Sequence, residues 1–128
     1  MERTRITANR GRGRQLIERY GGGGFKIAGV RHTGSVLVLP DQTLGWAVTA
    51  ADGIDAAALA PVLERQPPPR ILIVGCGRTF LPRPGALAVA LRDAGIGLEW
   101  MDTGAACRTF DLLLMEDREV AAALIAVE

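Results

Sequence analysis

Residues 71–77, with the sequence ILIVGCG, decide the fold class of this 128-residue chain. Four consecutive apolar residues, Ile71–Val74, are typical of a strand that is buried on both faces of a parallel sheet. Helical and strand patterns then alternate along the chain, over residues 84–94, 96–101, 103–115 and 120–127. The resulting order, β-α-β-α-β, predicts a parallel or mixed central sheet whose crossover connections are right-handed.

The residues before about position 50 are typical of short antiparallel strands instead. Turns at residues 21–24, 32–34 and 40–42 separate the apolar runs, and they are too closely spaced to leave room for crossover helices. The predicted strands are Gln15–Tyr20, Phe25–Val30, Ser35–Leu39 and Leu44–Thr49. We therefore expect an α/β fold with three layers (β/β/α), in which one antiparallel meander covers the central sheet and helices cover its other face.

The composition is that of one globular domain, which we expect over residues 15–128. Apolar residues make up 48% of the chain and charged residues 23%. The longest stretch without a charged residue, 42–51, has ten residues, and a membrane-spanning helix needs about 20. Two cysteines are too few for a disulfide scaffold or a four-cysteine zinc site, so we expect a reducing, cytoplasmic location.

Positive charge is concentrated near the N-terminus. Residues 1–40 carry seven Arg and one Lys against Glu2 and Glu18, a net charge of +6. We interpret residues 1–14 as a flexible basic arm, because chain ends fray unless they are tied down. Contact with phosphates or with the anionic inner-membrane surface, and a mitochondrial presequence, remain the alternatives. No aromatic residue lies among these arginines, so nucleic-acid binding is not expected.

The loop that follows the first buried strand is the first candidate ligand site. Its residues Gly75, Cys76, Gly77 and Arg78 come at the carboxyl end of a parallel strand, where backbone and arginine can hold an anion. The dinucleotide fingerprint fails, because Phe80 stands where a third glycine is needed. A tight structural turn is the simpler interpretation.

The start of the last helix is the second candidate. Asp102, Thr103, Cys107 and Arg108 would lie beside the first loop, and the helix N-terminus and Arg108 could activate the thiol. The simpler interpretation is a helix cap at Asp102 and two cysteines, Cys76 and Cys107, that are small buried side chains. Met101–Ala105 resembles an aspartic-protease motif, but the residues after it are too few for such an enzyme.

Four parts of the sequence resemble the Mth-domain family of small proteins. They are Phe25–Gly29 with His32–Ser35, Ile71–Gly77, Met101–Asp111, and Val120–Ile125. The most specific of them is Asp102–Asp111, which the acidic turn Glu116-Asp117-Arg118 follows. The resemblance covers residues 15–127 and implies a three-layer β/β/α fold.

The Mth-domain family includes a mitochondrial assembly factor for respiratory complex I and an adipogenesis-associated protein. The resemblance therefore implies a non-catalytic interaction or assembly factor with protein partners, such as respiratory-complex or membrane assembly proteins. The sequence has no long presequence, and we expect a bacterial member of the family. The alternative is a small anionic-ligand binder or minor enzyme that uses a pocket between the 75–78 and 102–108 loops. The sequence indicates no cofactor, no metal and no catalytic residue.

Overall fold

The computed structural model describes residues 14–128, which contain eight strands and three α-helices. The strands of the first half are β1 (Ile17–Gly21), β2 (Gly24–Ile27), β3 (Val30–Thr33), β4 (Ser35–Val38) and β5 (Thr43–Trp46). A 3-10 turn, Ala51–Gly53, and the short helix α1 (Ala60–Leu63) follow. The second half contains β6 (Ile71–Gly75), α2 (Gly85–Asp93), β7 (Gly97–Met101), α3 (Thr103–Met115) and β8 (Val120–Leu124).

Five strands form the central sheet, in the order β5-β4-β8-β6-β7. β6 pairs in parallel with both β7 and β8, while β4 pairs antiparallel with β8 and β5. The sheet is therefore mixed, and the predicted β-α-β-α-β half is confirmed. Leu72 and Val74 of β6 face one hydrophobic cluster and Ile73 faces the other, which explains the uninterrupted apolar run.

The two helices after β6 lie on opposite faces of the sheet. α2 and α1 pack against the face that presents Leu72 and Val74, whereas α3 packs against the face of Ile73. β7 lies on one side of β6 and β8 on the other. The crossover from β6 to β7 therefore runs in the opposite direction to the crossover from β7 to β8. Right-handed crossovers in opposite directions place their helices on opposite faces. α3 consequently shares its side of the sheet with the antiparallel layer.

The expected single meander is divided between two sheets. β1, β2 and β3 form a separate antiparallel sheet whose apolar residues, including Phe25 and Ile27, pack in the same cluster as Phe110 of α3. β4 and β5 belong to the central sheet instead. The division falls at Gly34, whose φ of 87° allows the sharp change of direction. All four residues of β4 are buried, as a strand in the interior of a sheet requires.

Two local predictions for the first half are wrong. The chain turns at Ala28-Gly29, where both residues have positive φ, so the predicted strand Phe25–Val30 is broken after Ile27. The predicted turn at residues 32–34 is shortened to a bend at Gly34, because His32 and Thr33 belong to β3, where His32 lies opposite Phe25. At the turn between β2 and β3, Gly29 indicates where the chain reverses better than the apolar residues on either side do.

The predicted ends of the two long helices agree with the structure. Pro84 comes directly before α2, and Gly95, with a φ of 78°, follows it. Asp102 caps α3 by accepting the backbone N–H of Ala105 at 2.9 Å. The last strand is shorter than predicted and ends at Leu124. α1 has only four residues, because the chain before it forms turns, one of which Asp55 stabilises.

Candidate functional site

The structure brings the two predicted loops into direct contact. β6 ends at Gly75, and α3 begins beside it at Thr103. A Cβ atom on Gly75 would lie 2.9 Å from the Cα of Thr103, which is closer than side chains normally approach. Gly75 is therefore needed for this close approach of strand and helix. Its role is packing at the point where an open α/β sheet commonly holds a ligand.

The side chain of Thr103 fills the space between the loops. Thr103 is fully buried, and its hydroxyl donates to the carbonyl of Ile125 at 2.8 Å and accepts the N–H of Gly77 at 3.0 Å. The N–H of Thr103 donates to the carbonyl of Gly77 at 2.9 Å. These three hydrogen bonds occupy the donors that an anion would otherwise contact at this crevice, namely the hydroxyl and N–H of Thr103 and the N–H of Gly77.

Asp102 acts as the cap of α3. Its carboxylate accepts from Ala105, and its carbonyl accepts from the N–H of Ala106 at 2.9 Å. The first interaction satisfies an N–H group that would otherwise lack a partner at the helix N-terminus, and the second is the first regular hydrogen bond of the helix. The resemblance of Met101–Ala105 to a protease motif is explained by this capping geometry.

Both predicted thiols are buried and free. Cys107 is 3% exposed in the cluster that includes Phe110. Burial, followed by the negative charge of Asp111, raises the pKa of the Cys107 thiol to about 12, and the opposing effect of Arg108 is smaller. The thiol is therefore protonated at neutral pH, which makes it a poor nucleophile.

Cys76 organises the loop that follows β6. Its Sγ lies 3.4 Å from the carbonyl of Thr79 and 3.4 Å from the N–H of Leu81. These two contacts hold residues 79–81 against the end of the strand. The predicted interpretation of both cysteines as small buried side chains agrees with these surroundings.

A groove of about 280 Å³ opens beside the first loop only. Its walls are formed by residues 49–51, 76–79, 81 and 125–128, so Cys76, Gly77 and Arg78 border it whereas Asp102, Thr103, Cys107 and Arg108 do not. Arg78 and Arg108 are both exposed, and neither makes an ion pair within residues 14–128. The two predicted loops therefore touch each other, and this groove is bordered by the first of them and not by the second.

Asp111 is a notable group that reasoning from the sequence did not select. Its carboxylate accepts the N–H of Ile17 at 2.8 Å, which ties α3 to β1. Burial raises the pKa of Asp111 to about 6; the hydrogen bond from Ile17 lowers it, and Glu18 adds to the increase. The sequence signal that could have indicated Asp111 is its position four residues after Cys107. This spacing makes the two side chains neighbours on one face of the helix.

A surface around the loop before α2 was also not predicted. Phe80, Leu81 and Val89 are 65%, 45% and 45% exposed, although large apolar side chains are usually buried. The indole N–H of Trp100 donates to the carbonyl of Leu81 at 2.6 Å and so joins this loop to β7. The sequence signal was the apolar pair Phe80-Leu81 between the glycine loop and the helix.

The other aromatic and imidazole groups have structural surroundings. The indole N–H of Trp46 donates to the carbonyl of Ala58 at 2.8 Å and so joins β5 to the chain before α1. His32 is half-buried in β3, and burial lowers its pKa below the usual value. No group of three or more His, Cys, Asp or Glu within residues 14–128 is arranged to bind a metal ion.

The sequence matches a known family over residues 17–125, which includes every strand and helix described above. That family is described as a protein of unknown function, DUF498/DUF598. The chain belongs to the DUF498/DUF598 family. The predicted resemblance to a family of small proteins is thereby confirmed, and the α/β architecture agrees with solved structures of similar proteins.

Two solved structures show how far this DUF498/DUF598 fold is shared. A protein from Bartonella henselae, described as an outer membrane protein, is 40% identical, with a TM-score of 0.84 over 91% of this chain and 98% of that one. A Bordetella pertussis protein described as a Mth938-like domain is 24% identical, with a TM-score of 0.78 over 96% of this chain and 92% of that one. At that identity the second likeness shows the fold alone.

Among proteins with assigned names, this DUF498/DUF598 chain is similar to assembly factors. A Xenopus tropicalis protein named NADH dehydrogenase (ubiquinone) 1 alpha subcomplex assembly factor 3 is 35% identical over 110 residues. The match covers 86% of this chain and 60% of the frog protein, so the chain spans less than two thirds of that relative. No helix within residues 14–128 is long and apolar enough to cross a membrane. The first thirteen residues, which form nearly all of the expected basic arm, lie outside the described part of the chain.

Proposed function

We propose that this protein is a non-catalytic assembly factor that binds protein subunits of a respiratory NADH dehydrogenase complex. The structural observation that carries the proposal is the filled crevice, in which Thr103 occupies the place where an α/β domain commonly holds a small ligand. The similarity to the Xenopus assembly factor, over 86% of the chain, supports the choice of target.

The proposal places the protein in the bacterial cytoplasm, at the surface of the inner membrane. Arg14, one of the six arginines before Tyr20, pairs with Asp117 at 2.7 Å, and the other five are suited to anionic headgroups, each contributing about 1 kcal/mol near such a surface. The target complex, rather than the lipid alone, would then determine which membrane-bound proteins are contacted. Electrostatic attraction of this kind is weakened by salt, which makes it experimentally separable from a protein interface.

The proposal is tested in cells that normally express the protein. The tagged full chain is purified in a mild detergent, and co-purifying proteins are quantified by mass spectrometry against a tag-only control. We expect NADH dehydrogenase subunits in near-stoichiometric amount. In a deletion strain we expect less assembled complex on native gels, restored by the full chain. A normal amount of complex in the deletion strain would contradict the proposal.

A second candidate function is the binding of a small anionic ligand by the groove beside Arg78. The groove volume of about 280 Å³ and the lack of an ion pair to Arg78 within residues 14–128 favour it. Thermal shift with inorganic phosphate and with citrate tests this candidate. A stabilisation that Arg78→Ala removes and Arg19→Ala retains would support it, and no shift at millimolar ligand would exclude both anions.

A further inference from the structure

The outer side of β7 is an unpaired sheet edge. β7 is the last strand of the central sheet and pairs only with β6 in the described part of the chain. Gly97 donates to Arg70 and Met101 accepts from Cys76, both at 2.8 Å, so these two residues direct their backbone groups toward β6. Backbone groups alternate along a strand. Those of Leu98 and Trp100 therefore point outward.

A positively charged groove of about 440 Å³ runs between this edge and α2. Arg83 and Arg92 line it together with residues 95–98, and no acidic residue lines it. Neither arginine makes an ion pair within residues 14–128. Leu98 and Trp100 pack toward the α2 side of the sheet, so Glu99 between them faces the opposite side. The charge beside the edge is thus positive on the α2 side.

Exposed apolar side chains occur close in sequence to the two arginines of this groove. Phe80 and Leu81 precede Arg83, and Val89 is three residues from Arg92 on α2. The hydrogen bond from Trp100 to Leu81 holds the loop against β7, and Pro82 and Pro84 restrict its backbone. A loop ordered in advance loses little conformational entropy when a partner binds.

We propose that an extended segment of a protein partner adds to β7 as a sixth strand of the central sheet. Its backbone pairs with the outward groups of Leu98 and Trp100, and alternate side chains face α2. The segment carries carboxylates that contact Arg83 and Arg92, and apolar residues that contact Val89. This inference rests on the proposed function, because it assigns the surface through which the assembly factor binds its target.

The same observations disfavour the other occupants of this edge. A second copy that paired through its own β7, centred on Glu99, would place two carboxylates opposite each other. The N-terminal segment is rich in arginine and would be repelled by Arg83 and Arg92. A lipid surface could contact the arginines, but its acyl chains offer no partner for the outward N–H of Leu98.

Site-specific photo-crosslinking in cells tests the proposal. A benzoylphenylalanine replaces Val89, which is 45% exposed, in one variant. In two control variants it replaces Val30 or Leu112, each 55% exposed on another face. We expect an efficient crosslink from position 89 to a partner segment that contains alternating acidic residues. Crosslinks only from positions 30 or 112, or from position 89 to a second copy or a segment without acids, would overturn the proposed edge. They would leave the assembly function standing, whereas no crosslink at any position would contradict that function as well.

Two charge-reversal variants and one exchange experiment complete the test. R83E/R92E should reduce crosslinking from position 89 at least tenfold, while K26E/R118E, with the same change in net charge at two other exposed sites, should leave it within twofold. An equal loss of crosslinking in both double variants would mean that net charge alone causes the effect. It would overturn the contacts assigned to Arg83 and Arg92. With the crosslinked segment added as a synthetic peptide, the amides of Leu98 and Trp100 should exchange at least tenfold more slowly. Unchanged exchange would overturn strand addition.

Discussion

The carboxylate of Asp111 accepts the backbone N–H of Ile17 at 2.8 Å and so connects the last helix to the first strand of the antiparallel layer. The two residues are 94 positions apart in the sequence. Their contact holds α3 against the antiparallel layer, on the side of the central sheet that both share. The interaction combines a hydrogen bond with a carboxyl whose pKa is raised to about 6. It makes part of the folding stability dependent on pH.

Asp111 should make the protein less stable as the pH rises from about 4 to about 6. Its pKa is about 6 in the folded chain against an ordinary value of 3.8, so the folded state binds more protons in this window and stability falls as the pH increases. Because the group is half-exposed, we expect a loss of about 1 kcal/mol after allowance for solvent screening. Urea unfolding between pH 4 and pH 7 measures this change.

The matched variants at this position are Asp111→Asn and Asp111→Ala. The amide oxygen of asparagine can still accept the N–H of Ile17, so D111N should remove this part of the pH dependence without lowering stability at pH 7. D111A removes the acceptor and should cost about 1–2 kcal/mol at all pH values. A pH profile of D111N identical to that of the wild type would show that Asp111 does not titrate in this range.

Removal of the Thr103 hydroxyl should destabilise the domain strongly. Thr103→Val keeps the shape of the side chain but leaves the Gly77 N–H and the Ile125 carbonyl without their partner, at a cost of about 2–3 kcal/mol. Thr103→Ser retains the hydroxyl and should cost about 1 kcal/mol for the lost methyl group. Urea unfolding compares the two, and equal losses would mean that packing, and not hydrogen bonding, dominates here.

A methyl group at Gly75 should also be poorly tolerated. The new Cβ of Gly75→Ala would lie 2.9 Å from the Cα of Thr103, and the resulting shift of strand or helix should cost about 2 kcal/mol. Gly85→Ala is the control, because Gly85 is the first residue of α2 and nothing lies within 4 Å of its added Cβ. We expect a gain of about 0.5–1 kcal/mol there. Similar effects in the two variants would contradict the close packing described for Gly75.

Cys107 should resist alkylation in the folded protein. Its thiol is buried and its pKa is raised to about 12, so at pH 8 iodoacetamide should react only as fast as the chain opens. The measurement uses Cys76→Ala, in which Cys107 is the remaining thiol, and compares native with urea-unfolded protein by mass spectrometry. Modification of the folded chain at the rate of a free thiol would contradict the burial of Cys107.

Much of the candidate site was predictable, but its geometry was not. The glycine loop after Ile71–Val74 and the cap at Asp102 follow from local sequence patterns, and both are present. The closure of the crevice depends on Thr103 meeting Gly77 and Ile125, and such distant contacts leave no periodic signal. The expectation of one meander failed for a similar reason. The chain passes from one sheet to the other at Gly34, and a local turn signal does not show which sheet the next strand joins.

The sequence by itself determined the order of strands and helices in the second half of the chain, since apolar runs, helix caps and glycine stops act over a few neighbouring residues. It also placed positive charge near the N-terminus. Only the tertiary structure decided that α3 joins the antiparallel layer and that Thr103 seals the crevice. It also decided that β7, within residues 14–128, has an unpaired edge beside Arg83 and Arg92. These features depend on which residues meet after the chain has folded, and that is a property of the complete packing rather than of any local pattern.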